Sequence, residues 1–360
     1  MAVCTVFFGR QSRDERIVKE STKIYTRALA QLNAALSNKT MHTRDETLAA
    51  TMLLGMYETM GCADPLTWQR HADGMELLVR VRGPEAHTTE LGHRLFTSFR
   101  GTSLTNSLVS CKRNFLASKE WLTIPWTKTQ KTPMQQLQDL HLELPGILEA
   151  RRALPRSAHP SLLRRCLDFK AKLEAWYENF ISTPSAHHWL EFSALNIDPP
   201  VFPTCYRFPN IGVANTYTFY WANLIVLNYT IIGLTPACQS PLVTTDEIYD
   251  LAAQICMSVE YFVAPERKSY GPVLTMYPLR VATGCFMRMG ARGKKSTLWC
   301  KAIFGVLGER GVMLAKMLEM VVWENKETEE AESVGTVHEW AKKEFWGRVE
   351  EGLDEPETEM

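Results

Sequence analysis

The chain has 360 residues, 45% of them apolar and 22% charged, with 40 Lys and Arg balanced by 40 Asp and Glu. That length and apolar fraction suffice for one large helical body or for two domains with sizeable cores. A formal net charge of zero excludes a protein that grips nucleic acid over its whole surface, because phosphate affinity comes from clustered Lys and Arg.

The opening segment, MAVCTVFFGR, is apolar but lacks a basic region before it and a small-residue cleavage site, so it does not read as a signal peptide. STKIYTRALAQLNAALSNK follows, with Ile24, Ala28, Leu29, Leu32, Ala35 and Leu36 on one helical stripe. RDETLAATMLLGMYETMG predicts a helix capped by Asp45, carrying Leu48, Met52, Leu53, Met56 and Met60 inward and stopping at Gly61. DPLTWQRHADGMELLVRVRGP predicts the next, with Asp64 as cap, Pro65 at the first helical position and a stop at Gly83-Pro84. Its apolar face is Trp68, His71, Met75, Leu78 and Val79, and Gly74 is read as the point where another helix approaches closely. TIPWTKTQKTP, 123–133, is irregular. Residues 161–180 repeat the helical pattern with Leu162, Leu163, Cys166, Phe169, Leu173 and Trp176. DPPVFPTCYRFPN, 198–210, must be extended or turning, since proline blocks helix propagation. YTFYWANLIVLNYTIIGL, 217–234, is interrupted by Asn223, Asn228 and several hydroxyls, which points to a buried helix rather than a membrane span. Further helices are expected at 245–263, 273–289 and 295–323. No alternating run of β-branched residues supports a sheet. From Glu324 to Met360 there are 13 acidic against 4 basic residues, leaving 36 basic and 27 acidic in the rest. The body is therefore mildly basic and the tail acidic.

Chemistry-bearing patterns are scarce. GARGKKST, 290–297, has two residues where a phosphate loop needs four between its glycines, and Lys295 stands where Ser or Thr should, so it reads as a basic loop between helices. His187 and Glu191 in HHWLE stand one helical turn apart, but no third metal ligand is implied. The nine cysteines are scattered without a C-x-x-C pair, which excludes thioredoxin-type and zinc-cluster spacings and fits a reducing compartment. His71 lacks a local nucleophile to activate, so it reads as a packing residue whose ring bonds a nearby carbonyl or carboxylate. No catalytic, cofactor-binding or metal-ligating residue is assigned.

Taken in order, these stretches resemble the regulatory domain of fungal Zn2Cys6 transcription factors. DETLAATMLLGMYE is similar to that family's long helix ending at Tyr57-Glu58. WQRHADGMELLVRVRGP resembles its W-x-x-H-x-x-G helix, here Trp68, His71 and Gly74, closing in Arg82-Gly83-Pro84. FLASKEWLTIPW looks like the next element, with Trp121, Pro125 and Trp126. LEAWYENF, FYWANLIVLNYTII, YPLRVATGCF and LGERGVMLAKMLEMVVW are similar to its later helices. The resemblance covers roughly 20–350, and these signature positions are read as structural. The family's six-cysteine, two-zinc DNA reader is not matched by the scattered cysteines.

The resemblance implies an all-α, large, irregular multi-helix regulatory domain. The expected layout is a short lead at 1–12, a helical regulatory domain at 13–323 with an internal boundary in the Pro-rich 184–210 stretch, and an acidic C-terminal helix and tail at 324–360. The expected function is non-enzymatic transcription regulation through other transcription factors or coactivators, as a homo- or heterodimer, in the nucleus and also the cytoplasm. No direct sequence-specific DNA contact and no membrane association are expected of this chain. A metabolic or secondary-metabolite gene set is a family-level expectation. A helical small-molecule sensor with its own effector is the alternative, and an enzyme of unrecognised helical type the third reading. The acidic-aromatic C-terminus, with Trp340, Phe345, Trp346, Val349 and Leu353, suits either a packed terminal helix or a coactivator-docking segment.

Overall fold

The computed structural model describes residues 1–61, 65–183, 189–193, 201–236 and 238–320. Among these the secondary structure is overwhelmingly α-helical, as expected. The chain divides into two compact units, Met1–Trp176 with Gly233–Pro236, and Tyr177–Ile232 with the described residues from 238 onward.

The first unit begins with α1 (Ala2–Gln11) and α2 (Glu15–Ser37). Helix α2 starts earlier than the apolar stripe alone suggests because the Asp14 carboxylate accepts the Arg16 backbone N–H at 2.9 Å, capping it. Helices α3 (Asp45–Gly61) and α4 (Pro65–Arg82) pack against each other. The expected boundaries hold, but Asp45 is the first helical residue rather than the cap, and Asp64 lies outside the described residues. Leu48, Leu54, Tyr57 and Met60 bury on α3, whereas Leu53 is 55% exposed and does not belong to its inner face. On α2 only Leu32 of the expected stripe is fully buried, and Leu36 is exposed.

A 3-10 turn at Pro84–His87 leads into α5 (Glu90–Ser110), capped by Thr89. The stretch expected to be irregular contains α6 (Lys119–Thr123) ending just inside it and a 3-10 turn at Ile124–Trp126. Helix α7 (Pro133–His141) starts on a reciprocal Thr132–Gln135 capping box, followed by α8 (Glu143–Ala153). Helix α9 (His159–Ile181) buries Leu162, Leu163, Cys166, Phe169 and Leu173, five of the six positions its periodicity marks, and leaves the sixth, Trp176, half-buried.

The second unit corrects the expectation of no sheet. Strands β1 (Leu190–Ser193) and β2 (Thr204–Arg207) pair antiparallel, Leu190 opposite Arg207 and Ser193 opposite Thr204. Each is only four residues, and every β1 residue is exposed. Such a pair leaves no inward-outward alternation for a sequence to display. Helix α10 (Ile211–Leu234) buries Tyr217, Phe219, Tyr220, Trp221, Leu224, Ile225 and Leu227 on several sides. Among the described residues no helix is long and apolar enough to cross a membrane.

The helix expected over 245–263 is broken at Ser258 into α11 (Thr245–Met257) and α12 (Val259–Val263). Helix α13 (Tyr270–Arg288) begins before its expected start, with Pro272 tolerated in the first turn, where the N–H has no intrahelical acceptor. Residues 290–297 form a 3-10 turn at Gly290–Gly293 and the first turn of α14 (Lys294–Glu309), so the inter-helix reading holds. The helix expected over 295–323 is interrupted at Gly311, whose φ of +98° no helix accommodates, and resumes as α15 (Met313–Met320). The acidic segment 324–360 and His187 lie outside the described residues.

Candidate functional site

The signature residues converge on three places in the first unit. The first is a polar knot among α2, α3 and α4. Tyr57 of α3 is buried and stacks on Tyr25 of α2, ring centroids 4.1 Å apart and planes 10° from parallel. Its hydroxyl lies 3.2 Å from Ser21 Oγ and 3.4 Å from Thr22 Oγ1. The Tyr25 hydroxyl donates to the buried Glu58 carboxylate and sits 3.2 Å from His71 Nε2. His71 Nε2 also faces Glu58 Oε1 at 3.7 Å. A carboxylate buried this deeply is tolerated only when its lone pairs are engaged, and the neighbouring helices supply the donors. His71 is thus a half-buried ring whose Nε2 faces both a phenol and a carboxylate. Carboxylate, imidazole and phenol, the components of acid–base chemistry, here meet one another across three helices.

Gly74 is a correction. It is exposed, and a Cβ placed there would meet nothing within 4 Å. The close approach of α3 and α4 occurs instead at Gly55, where an added Cβ would come within 3.3 Å of Met75 Cε and 3.6 Å of His71 Cβ. The sequence reading placed the small residue on the wrong helix of the pair. The buried positions of α4 are Ala72, Met75, Leu78 and Val79, with Trp68 half-buried at the edge.

The second place is the end of α4. The Arg82 guanidinium, its side chain 2% exposed, donates to the Asp45 carboxylate and to the Thr43 carbonyl, stapling the end of α4 to the start of α3. Gly83 then takes a φ of +75°, and Pro84 opens the following 3-10 turn with its fixed φ. Arg82-Gly83-Pro84 is therefore a staple, a reversal and a restart.

The third place is an aromatic closure over Phe96 of α5, which is fully buried. Trp121 stacks on Phe96 at 5.7 Å and meets Phe115 edge-on at 5.2 Å. Trp126, positioned by Pro125 in the Ile124–Trp126 turn, approaches Phe96 at 6.0 Å and His93 at 4.9 Å. The Arg100 guanidinium and Lys131 Nζ each lie 5.1 Å from the Trp126 ring centroid, and both pair with Asp139. Burial depresses Arg100, against the opposing pull of Asp139. His87, fully buried beside Phe96 and Trp121, is pushed down to about 4 by desolvation, with its Nδ1 at 3.1 Å from the Gly92 carbonyl. His141 of α7 is likewise lowered to about 4 by burial.

Two other features bear on ligand chemistry. An open surface groove of about 690 Å³ runs along α2, lined by Lys19, Thr22, Lys23, Thr26, Arg27 and Ala30. Among the described residues no group of three or more His, Cys, Asp or Glu is placed to hold a metal ion, and Glu191 is exposed on β1. Sequence reasoning missed Tyr25, Ser21 and Thr22, because α2 was read only through its apolar stripe. It also missed the Arg82–Asp45 staple, whose partners lie 37 residues apart.

In comparison with known proteins, 120 residues of the chain are 33% identical to the uncharacterized protein AN5342 of Emericella nidulans. The match covers 33% of this chain and 26% of that relative, so the chain spans only about a quarter of its length. No solved structure matches the chain. Residues 1–282 match the family described as the fungal specific transcription factor domain. With more than three-quarters of its length inside that match, the all-α chain belongs to the fungal specific transcription factor domain family.

Proposed function

We propose that this chain is a non-enzymatic transcriptional regulator that acts in the nucleus through protein partners, other transcription factors or coactivators, as a homo- or heterodimer. The family match over residues 1–282 carries the reading. The inward-turned signature supports it, since Tyr57, Glu58, His71, Gly83, Pro84, Trp121, Pro125 and Trp126 all hold helices or turns in place. On this reading the signature positions other than the exposed Gly74 are structural, Trp68 included, and the chain makes no sequence-specific DNA contact of its own. A metabolic or secondary-metabolite gene set is the proposed target.

The test is to tether the chain through a heterologous DNA-binding domain upstream of a reporter in a fungal host, and to follow a fluorescent fusion. A several-fold change in reporter output from a nuclear fusion is expected. A folded, nuclear fusion that left the reporter unchanged would count against the proposal. A small-molecule sensor would instead show itself by a ligand-dependent rise in melting temperature, because binding to the native state stabilises it by mass action.

A further inference from the structure

Three of the nine cysteines, far apart in the sequence and on three different helices, meet in the core of the second unit. Cys256 of α11, Cys285 of α13 and Cys300 of α14 are all buried, with exposures of 2%, 1% and 0%. Cys256 Sγ and Cys300 Sγ stand 3.6 Å apart. Cys285 is otherwise engaged, its Sγ 3.5 Å from the Tyr229 hydroxyl and 3.8 Å from the Ile248 carbonyl oxygen. Helices α11 and α14 also touch through the Tyr249 and Ser296 hydroxyls, 3.4 Å apart. Two thiols are thus left facing each other between helices held in register by a second contact.

We propose that Cys256 and Cys300 are an oxidation site, closing to a disulfide that locks α11 to α14 when the protein meets hydrogen peroxide. One thiolate attacks the peroxide oxygen, breaking the O–O bond, giving a sulfenic acid and, after protonation, water. The second sulfur attacks the sulfenic sulfur, its proton leaves with the departing hydroxyl as a second water, and the S–S bond forms. Two thiols are oxidised by two electrons in all and one peroxide is reduced to two waters. The sulfurs must approach by about 1.5 Å to reach bonding distance, a movement on the scale of a χ1 rotation. The bond closes a loop between residues 44 apart in sequence.

Burial sets the kinetics. Desolvation, with Cys300 and Cys285 nearby, raises the Cys256 thiol well above its ordinary range. The thiolate therefore forms mainly in molecules where the helices have opened locally. Cys4 and Cys238, which are exposed, react first and mark the dose of oxidant delivered.

The experiment treats the native chain with hydrogen peroxide, blocks remaining thiols under denaturing conditions, and maps peptides without reduction. The expected result is a Cys256–Cys300 linked peptide pair, lighter by two hydrogens, formed at least about tenfold more slowly than Cys4 and Cys238 are consumed, and lost on adding dithiothreitol. Cys285→Ala should leave this link intact, and Cys300→Ala should leave Cys256 as a free thiol. Should either variant fail to fold, the map of the unaltered chain decides. Cys256 and Cys300 both still alkylatable after an exposure about a hundredfold longer than the one that consumes Cys4 and Cys238 would overturn the proposal, as would a link formed through Cys285.

Discussion

Three helical glycines of the first unit, substituted by alanine, test the packing directly, because what each new methyl would meet differs in kind. At Gly74, on the outer face of α4, it meets nothing within 4 Å. Only backbone entropy and helix propensity change, so Gly74→Ala should stabilise by about 0.5–1 kcal/mol. At Gly55 the same propensity gain applies, but the methyl would press on Met75 Cε at 3.3 Å. The tip of a methionine yields at a cost of about the same size, so Gly55→Ala should fall near neutral. At Gly92 the methyl would run into the Ala86 backbone carbonyl and lie 2.8 Å from Thr89 Oγ1, the α5 cap. Backbone cannot step aside, and Gly92→Ala should destabilise by about 2–3 kcal/mol or more. Urea unfolding at fixed protein concentration measures all three, and for a unit of this size each kcal/mol corresponds to about 2–4 °C in melting temperature. The order Gly74, Gly55, Gly92 is the prediction. A Gly74→Ala variant less stable than the parent would refute the reasoning, since it would mean that the outer face of α4 is packed against something.

Removing the staple by Arg82→Met should cost about 1–3 kcal/mol by leaving the Asp45 carboxylate, itself 25% exposed, without its partner, which chemical denaturation would detect; Arg82→Lys should recover part of that loss. Tyr57→Phe keeps the stack on Tyr25 and removes the contacts to Ser21 and Thr22, so about 1 kcal/mol should go, with the aromatic circular-dichroism bands largely retained. Glu58→Ala, which strips the Tyr25 hydroxyl and His71 of their shared carboxylate, should cost clearly more, about 2–4 kcal/mol. The pH dependence follows from His87 and His141, both lowered in the folded chain to about 4 by burial. A depressed histidine disfavours its charged form only when folded, so this contribution is complete above about pH 6.5 and lost as the pH falls towards 4. Each ring is worth up to about 3 kcal/mol over that window. Urea midpoints between pH 7 and pH 4 should fall accordingly, and a His141→Gln variant should show a shallower fall; a flat profile would mean that neither ring is buried neutral.

Part of the fold was legible because α3 and α4 announce themselves by apolar period and by terminal glycine or proline, and α2 and α9 by period, whereas α1, α5, α7 and α8 carried no such mark in the reading. Leu162, Leu163, Cys166, Phe169 and Leu173 are buried as their spacing requires. Errors arose where periodicity is silent. The β1–β2 pair is too short to alternate, and Ser258 ends α11 with neither glycine nor proline to mark it. On α3 the period includes Leu53, yet packing against α1, α2 and α4 turns it outward. Polar contacts were harder still. Nothing local to Tyr25 says that it will meet Glu58, 33 residues away, or His71, 46 residues away. Such pairings are properties of the assembled helices, not of any one of them.

The physics of the signature stretches explains why most of them would be hard to vary. Each of Tyr57, Glu58 and His71 satisfies a polar group brought by another helix, so changing one strands its partners. Gly83 needs its positive φ and Pro84 its fixed one, so neither exchanges freely with an ordinary residue. Trp121 and Trp126 close over Phe96 from one short segment, and a smaller ring at either would open a cavity in that closure. Gly74 fits none of these accounts. Its exposed position imposes no requirement for glycine within this chain, so the sign of the Gly74→Ala effect separates two explanations. A stabilised monomer would mean that the glycine is unconstrained by folding. A destabilised chain would mean that the outer face of α4 is packed in solution, against a second copy of the chain.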